Sequence, residues 1–271
     1  MVRGYHLLQR LSRPGAAPIW AAEDDAGRRV ALKGMLPSDR DRPDLLYRFQ
    51  TEGRLQQELG GQHHLLHCYE TRLDPEPTLI LEFASGGSLR DRVEQGLLPV
   101  ARAVDITCQI ADALDWLHSN GVYHRDVKPS NILIMEDDTV RLADLGVAAC
   151  GSPPRGLPDG WIEEDVGTLG YAAPELLRDP GLATAAIDVY ALGVTLCELL
   201  TGRLPWTLSE SESQAAFRAR LAQGPMPELP GGLDEPIRSV VAKATAPNPA
   251  HRYPTAAALG AALTETVDRR G

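Results

Sequence analysis

The alternation of apolar and polar positions changes texture near residue 85. Ahead of that point lie three short apolar runs, YHLLQRL (5–11), PIWAAED (18–24) and RRVALKG (28–34), with DDAG between the last two. Short apolar runs punctuated by turn residues predict an antiparallel meander. The stretch RPDLLYRFQTEGRLQQELGG (42–61) has helical periodicity, opens at a proline and stops at a glycine pair. PTLILEFA (77–84) then predicts a strand, and SGG (85–87) a flexible joint. Beyond it, ARAVDITCQIADALDWLHSNG (101–121) predicts a long amphipathic helix with a glycine stop, and further helices are expected at about 187–201, 211–223, 234–246 and 254–268. The expected fold is α+β and two-lobed. A small β-rich lobe with its hinge covers 1–84, a larger helical lobe covers 85–271, and a ligand cleft lies between them.

Composition narrows the field of functions. A net charge of −10 argues against a nucleic-acid partner, because a phosphate backbone needs a basic face. The four cysteines, Cys68, Cys108, Cys150 and Cys197, are widely spaced and form no CxxC pair, which fits a reducing, cytoplasmic setting. IDVYALGVTLCELL (187–200) is the most apolar run; it is too short and too acidic to cross a bilayer and predicts a buried helix. No targeting leader or membrane segment is expected in this chain.

HRDVKPSN (124–131) carries the first chemistry. Pro129 has no N–H to donate and keeps the segment from continuing as helix, so its side chains are presented from a loop. A carboxylate (Asp126), a cation two residues on (Lys128) and an amide five residues on (Asn131) suit the handling of a phosphoryl group and its Mg²⁺. The plainer alternative is a solvated polar turn.

VALK (30–33), HRDVKPSN, ADLGV (143–147), GTLGYAAPE (167–175) and PAHRYPT (249–255) occur in this order, and with them the chain resembles a protein kinase catalytic domain, most closely the eukaryotic-like serine/threonine kinases of bacteria. The likeness spans about residues 5–265. It implies that Lys33 reaches the phosphates of ATP and is held by a carboxylate of the following helix. Glu52 matches the family pattern there, with Glu58 as rival; six residues turn a helix by about 240°, so the two cannot face Lys33 together. The resemblance further implies that Asp126 accepts or orients the proton of the substrate hydroxyl. By the same likeness Lys128 neutralises charge on the γ-phosphate, and Asn131 and Asp144 bind magnesium, with manganese as a substitute. Thr168 is expected near the incoming hydroxyl, Glu175 paired with Arg252, and Asp188 on the backbone of the catalytic loop. Ile19, Ala31, Leu81 and Leu133 should line the adenine pocket, with the backbone of Glu82 and Ala84 on the adenine edge; apolar strand residues of this kind also serve simply as core.

The chain departs from the family in three places. SRPGAA (12–17) stands where a glycine-rich phosphate loop is usual, and Pro14 has no N–H to offer, so loose nucleotide affinity is expected. Glu163, Glu164 and Asp165 suggest a permanent acidic substitute for an activating phosphate, facing Arg125. Gln56, one turn past Glu52, occupies a usually apolar place. His63, His64, His67 and Cys68 put four potential ligands within six residues, but they coincide with the loop and strand that follow the Glu52 helix, so a metal site is not expected.

The resulting expectation is a serine/threonine kinase that moves the γ-phosphoryl group of Mg·ATP to a protein hydroxyl, with a kinase-domain dimer possible. The alternatives are a nucleotide-binding pseudokinase acting as an interaction module and a phosphotransferase of the aminoglycoside type.

Overall fold

A computed structural model describes residues 2–150, 168–209, 211–224 and 233–268. The meander forms as β1 (Tyr5–Arg10), β2 (Ile19–Asp24) and β3 (Arg29–Gly34). The β2–β3 turn closes because Asp24 Oδ1 accepts from the Ala26 and Arg28 N–H groups at 3.0 and 2.8 Å, with Gly27 at φ 81°. Next come α1 (Pro43–Leu59), β4 (Cys68–Arg72) and β5 (Thr78–Glu82). The five strands make one antiparallel sheet in the order β1-β2-β3-β5-β4. The helix α1 buries Phe49, Glu52, Gly53, Leu55 and Gln56. It comes close to the sheet at Gly53, where an added Cβ would stand 2.7 Å from Leu79 Cδ2.

The SGG segment is not the flexible joint that its glycines suggest. The Gly86 N–H donates to the Ile134 carbonyl and the Ile134 N–H to the Gly87 carbonyl, both at 2.9 Å. A Cβ on Gly86 would lie 2.7 Å from Ile134 Cγ2, so glycine here permits close contact with the larger lobe. The short helix α2 (Leu89–Glu94) follows at once, capped by a reciprocal Ser88–Asp91 box.

The larger lobe continues with α3 (Val100–Ser119), β6 (Val122–Tyr123), β7 (Ile132–Ile134), β8 (Val140–Leu142) and β9 (Ala149–Cys150). It closes with α4 (Pro174–Arg178), α5 (Ala185–Thr201), α6 (Gln214–Gln223), α7 (Glu235–Ala244) and α8 (Ala256–Asp268). The run at 187–200 lies within α5, which is buried on nearly every face and ends at Gly202 in the left-handed region, φ 72°. The helix expected from 211 begins at Gln214, because the Ser213 hydroxyl caps it by accepting from the Ala216 N–H at 3.2 Å. Leu65, Ile110, Leu114, Leu142, Leu145 and Leu192 belong to the main core, which reaches from the larger lobe up to the floor of the cleft. Among the described residues no helix is long and apolar enough to cross a membrane.

Candidate functional site

Side chains from three separate elements converge under the sheet. Lys33, near the end of β3, places Nζ 2.7 and 2.9 Å from the two carboxylate oxygens of Glu52 on α1, and 3.0 Å from Asp144 Oδ1 just past β8. Glu58 points away and pairs with Arg54 at 3.0 Å. Two carboxylates around one ammonium leave a surplus negative charge, which the two share unequally. Burial pushes Glu52, whose side chain is 4% exposed, up to about 7 in spite of Lys33, and the Asp144 charge adds to the push. Asp144, 43% exposed, is held down at about 2, chiefly by the Lys33 charge. Burial pulls the Lys33 ammonium down, but Asp144 and Glu52 together keep it above its ordinary range.

The second group lies on the loop between β6 and β7. Asp126 Oδ1 accepts from the Thr168 N–H at 2.9 Å and from its hydroxyl at 3.0 Å. Its Oδ2 accepts from Lys128 Nζ at 2.5 Å and from the Asn131 amide nitrogen at 3.1 Å, and the Asn131 nitrogen also donates to the Asp126 carbonyl at 2.9 Å. Lys128 Nζ reaches the Thr168 hydroxyl as well, at 2.6 Å. Leu145 is fully buried beside Asp144, so the apolar place next to that carboxylate is filled.

This backbone is strained, with Arg125 at φ 66° and Asp144 at φ 69°. The carboxylate of Asp188, buried in α5, accepts the N–H groups of His124 and Arg125 at 2.9 and 2.7 Å. His118, in the last turn of α3, sets Nε2 2.9 Å from the same carboxylate. The Asp126 N–H donates to His124 Nδ1 at 3.2 Å, which puts the ring proton on Nε2, 3.0 Å from the Ala143 carbonyl. Sequence reasoning missed His118, whose only local signal is its place near the C-terminus of a helix.

The expected adenine residues also come together. Ile19 faces Lys33 across β2–β3, Ala31 faces Leu81 across β3–β5, and Ile19, Ala31, Leu81 and Leu133 belong to one apolar cluster. The Glu82 N–H is taken by the His67 carbonyl at 2.9 Å, whereas no donor bond from the Ala84 N–H is found among the described residues. A separate cavity of about 640 Å³ sits against the hinge, lined by Arg29, Tyr69, Phe83, Met135 and others; of the expected nucleotide residues it includes only Glu82, so it is not the cleft that holds Lys33.

Other expectations resolve locally. Ser12 Oγ accepts from the Ile19 N–H at 3.1 Å, tying down the loop that replaces the glycine-rich one. Arg252 bridges both Glu175 oxygens at 2.5 and 2.8 Å. Arg125 donates to the Val147 and Pro180 carbonyls at 2.8 and 3.1 Å; Glu163, Glu164 and Asp165 lie outside the described residues. The histidine cluster disperses. His63 stacks on Trp116, His64 contacts the Val140 carbonyl and His67 meets Tyr69 edge-on.

The protein kinase domain family matches residues 16–262 of this chain. The chain belongs to that family. The kinase domain is 37% identical over 267 residues to the serine/threonine-protein kinase PknD of Mycobacterium tuberculosis, covering 97% of this chain and 40% of the relative. It is 35% identical over 263 residues to PknL of the same organism, covering 96% and 64%, and 32% identical over 258 residues to PknA of Corynebacterium glutamicum, covering 92% and 53%. The chain therefore spans about half the length of the curated relatives it matches.

Proposed function

We propose that the chain transfers the γ-phosphoryl group of ATP to a serine or threonine hydroxyl of a protein, in the cytoplasm, with Mg²⁺ or Mn²⁺ as the divalent ion. The observation that carries this reading is the convergence of Lys33, Glu52 and Asp144 from β3, α1 and the end of β8 within 3.0 Å of one ammonium. Named likeness to serine/threonine kinases supports the acceptor class.

In this reading Lys33 binds the phosphates, and Glu52 keeps its ammonium aimed into the cleft. Asp126 orients the acceptor hydroxyl and takes its proton, while Lys128, already on Asp126 and Thr168, steadies negative charge where the two substrates meet. The donors present suit a hard cation. Asp144 is ionised and half-exposed with Oδ2 unpartnered among the described residues, and Asn131 engages only its amide nitrogen, which leaves the oxygen. A divalent ion held by these two residues supplies neutralising charge to the phosphates. The apolar cluster of Ile19, Ala31, Leu81 and Leu133 takes the adenine face, with the Glu82 carbonyl and the Ala84 N–H on its edge, between an upper lobe of 1–84 and a lower lobe of 85–271.

Incubation with γ-labelled ATP, magnesium and dephosphorylated casein, followed by phosphoamino-acid analysis, tests the reading. Label on serine or threonine is expected. Nucleotide binding without labelled protein would overturn it.

A further inference from the structure

Residues 11–18 connect β1 to β2 in the place where a glycine-rich loop is usual, and here side chains hold the connection together. At its tip the Ala16 N–H donates to the Arg13 carbonyl at 3.2 Å, and Pro14 and Gly15 take the two central positions, with Gly15 at φ 88°. Proline first and a left-handed glycine second is the pattern of a type II turn. At its base the Leu11 and Ser12 N–H groups donate to the Ile19 carbonyl at 2.8 and 3.3 Å, and the Ser12 hydroxyl oxygen accepts from the Ile19 N–H at 3.1 Å. Arg10 adds two longer contacts, from Nε to Ser12 Oγ at 3.3 Å and from Nη2 to the Ala16 carbonyl at 3.5 Å, so one side chain joins base to tip.

The base of the loop is also tied to the phosphate-binding lysine. Ile19 pairs with Lys33 across β2–β3, and the Pro18 carbonyl accepts from the Gly34 N–H at 2.8 Å. On the outer side, Arg13 Nη2 lies 3.7 Å from Glu94 Oε2 on α2. An exposed pair of this kind contributes little energy, but it shows that the loop reaches from the smaller lobe to the larger one. Nothing in this conformation calls for glycine at position 12, because among residues 11–18 only Gly15 has a positive φ. A glycine there would relieve no strain, would remove the hydroxyl and would widen the range of conformations open to the loop.

We infer that Ser12, supported by Arg10, is a positioning residue for the nucleotide: its hydroxyl braces the base of the loop on Ile19 and so holds the loop over the cleft in register with Lys33. The brace is a side-chain device, and restoring a glycine would undo it. Pro14 acts separately, because its missing N–H lies at the tip and the brace lies at the base.

The inference rests on the kinase reading, and its test separates the two. Calorimetric binding of Mg·ATP and steady-state kinetics with dephosphorylated casein would compare wild type, Ser12→Ala, Ser12→Gly and Ser12→Thr. Loss of one hydrogen bond in Ser12→Ala should raise both Kd and KM for ATP by about three- to tenfold, with KM for casein and the thermal midpoint close to wild type. Ser12→Gly should bind ATP at least as weakly as Ser12→Ala, the reverse of the gain expected if a glycine at this place were what the nucleotide needs. Ser12→Thr keeps the hydroxyl and should recover most of the loss. Hydrogen exchange should show the Ile19 amide losing protection in Ser12→Ala and Ser12→Gly and keeping it in Ser12→Thr. The brace is overturned by tighter ATP binding in Ser12→Gly, by an unchanged ATP constant in Ser12→Ala, by wild-type exchange at Ile19, or by ATP and casein constants that worsen together with the thermal midpoint. A wild type that binds Mg·ATP but transfers no phosphate would remove the kinase reading, and the Kd and exchange comparisons would still decide the brace. A wild type that binds no nucleotide would overturn both.

Discussion

Gln56→Leu should make this domain more stable. Gln56 is 0% exposed on the inner face of α1, and among the described residues neither its amide nitrogen nor its amide oxygen has a hydrogen-bond partner. Burying an unsatisfied polar group costs about 1–3 kcal/mol. Leucine keeps the side-chain volume, continues the buried face shared with Leu55, and removes both orphaned groups. Taking the lower value for each group gives a gain of about 2 kcal/mol, which for a chain of this size corresponds to a rise of about 4–8 °C in thermal midpoint. Gln56 lies one turn from Glu52, so the same change also favours the position of α1 that brings Glu52 onto Lys33, and KM for ATP should not increase. Thermal and urea unfolding of wild type and Gln56→Leu, run side by side with ATP kinetics, check both parts. A midpoint that is unchanged or lower would mean that the amide has partners, such as buried water, and that its burial is not a burden.

Other outcomes follow from the same geometry. The Glu52 pKa is raised in the fold, so the stability tied to it is present below about pH 4.5 and is lost as pH rises through about 7. Asp144, shifted the opposite way, matters only at more acid pH, so Glu52→Gln in metal-free and nucleotide-free buffer should flatten the fall in stability between about pH 5 and pH 8, read by urea unfolding. Arg252 is fully buried on Glu175; Glu175→Gln leaves an uncompensated guanidinium and should cost about 3–5 kcal/mol in the same assay, and a smaller change would show that the carbonyls of Ala246 and Ala186 suffice. Pro14→Gly restores an N–H to the loop over the phosphates and should tighten ATP binding by calorimetry; an unchanged dissociation constant would remove the loop as a cause of weak affinity.

What could be read from the sequence was the local part. Lys33 closes a recognisable strand, and Asp126, Lys128 and Asn131 stand within six residues of one another, so their proximity in space follows from proximity in the chain. The two lobes were legible from the change in period, since a meander and a set of amphipathic helices leave different marks. The choice between Glu52 and Glu58 turned on which face of α1 meets the sheet, and only packing decides that. The SGG segment was misread because glycine signals freedom locally, whereas here it admits Ile134. His118 reaches a residue 70 positions away and Arg90 reaches residues 81 and 108 positions away, and nothing in a single sequence marks such pairs. The short helix α2 was not expected from the sequence, although S-x-x-D at Ser88–Asp91 is a local signal for it.

The most direct test of the central claim is intact-mass spectrometry of wild type and Asp126→Asn after incubation with ATP and Mg²⁺. Asp126 is the carboxylate on which Lys128, Asn131 and Thr168 converge. The account predicts phosphate-sized mass increments on the wild type and none on Asp126→Asn, with both chains binding nucleotide alike. Equal phosphate on both chains, or none on either with nucleotide bound, would contradict it.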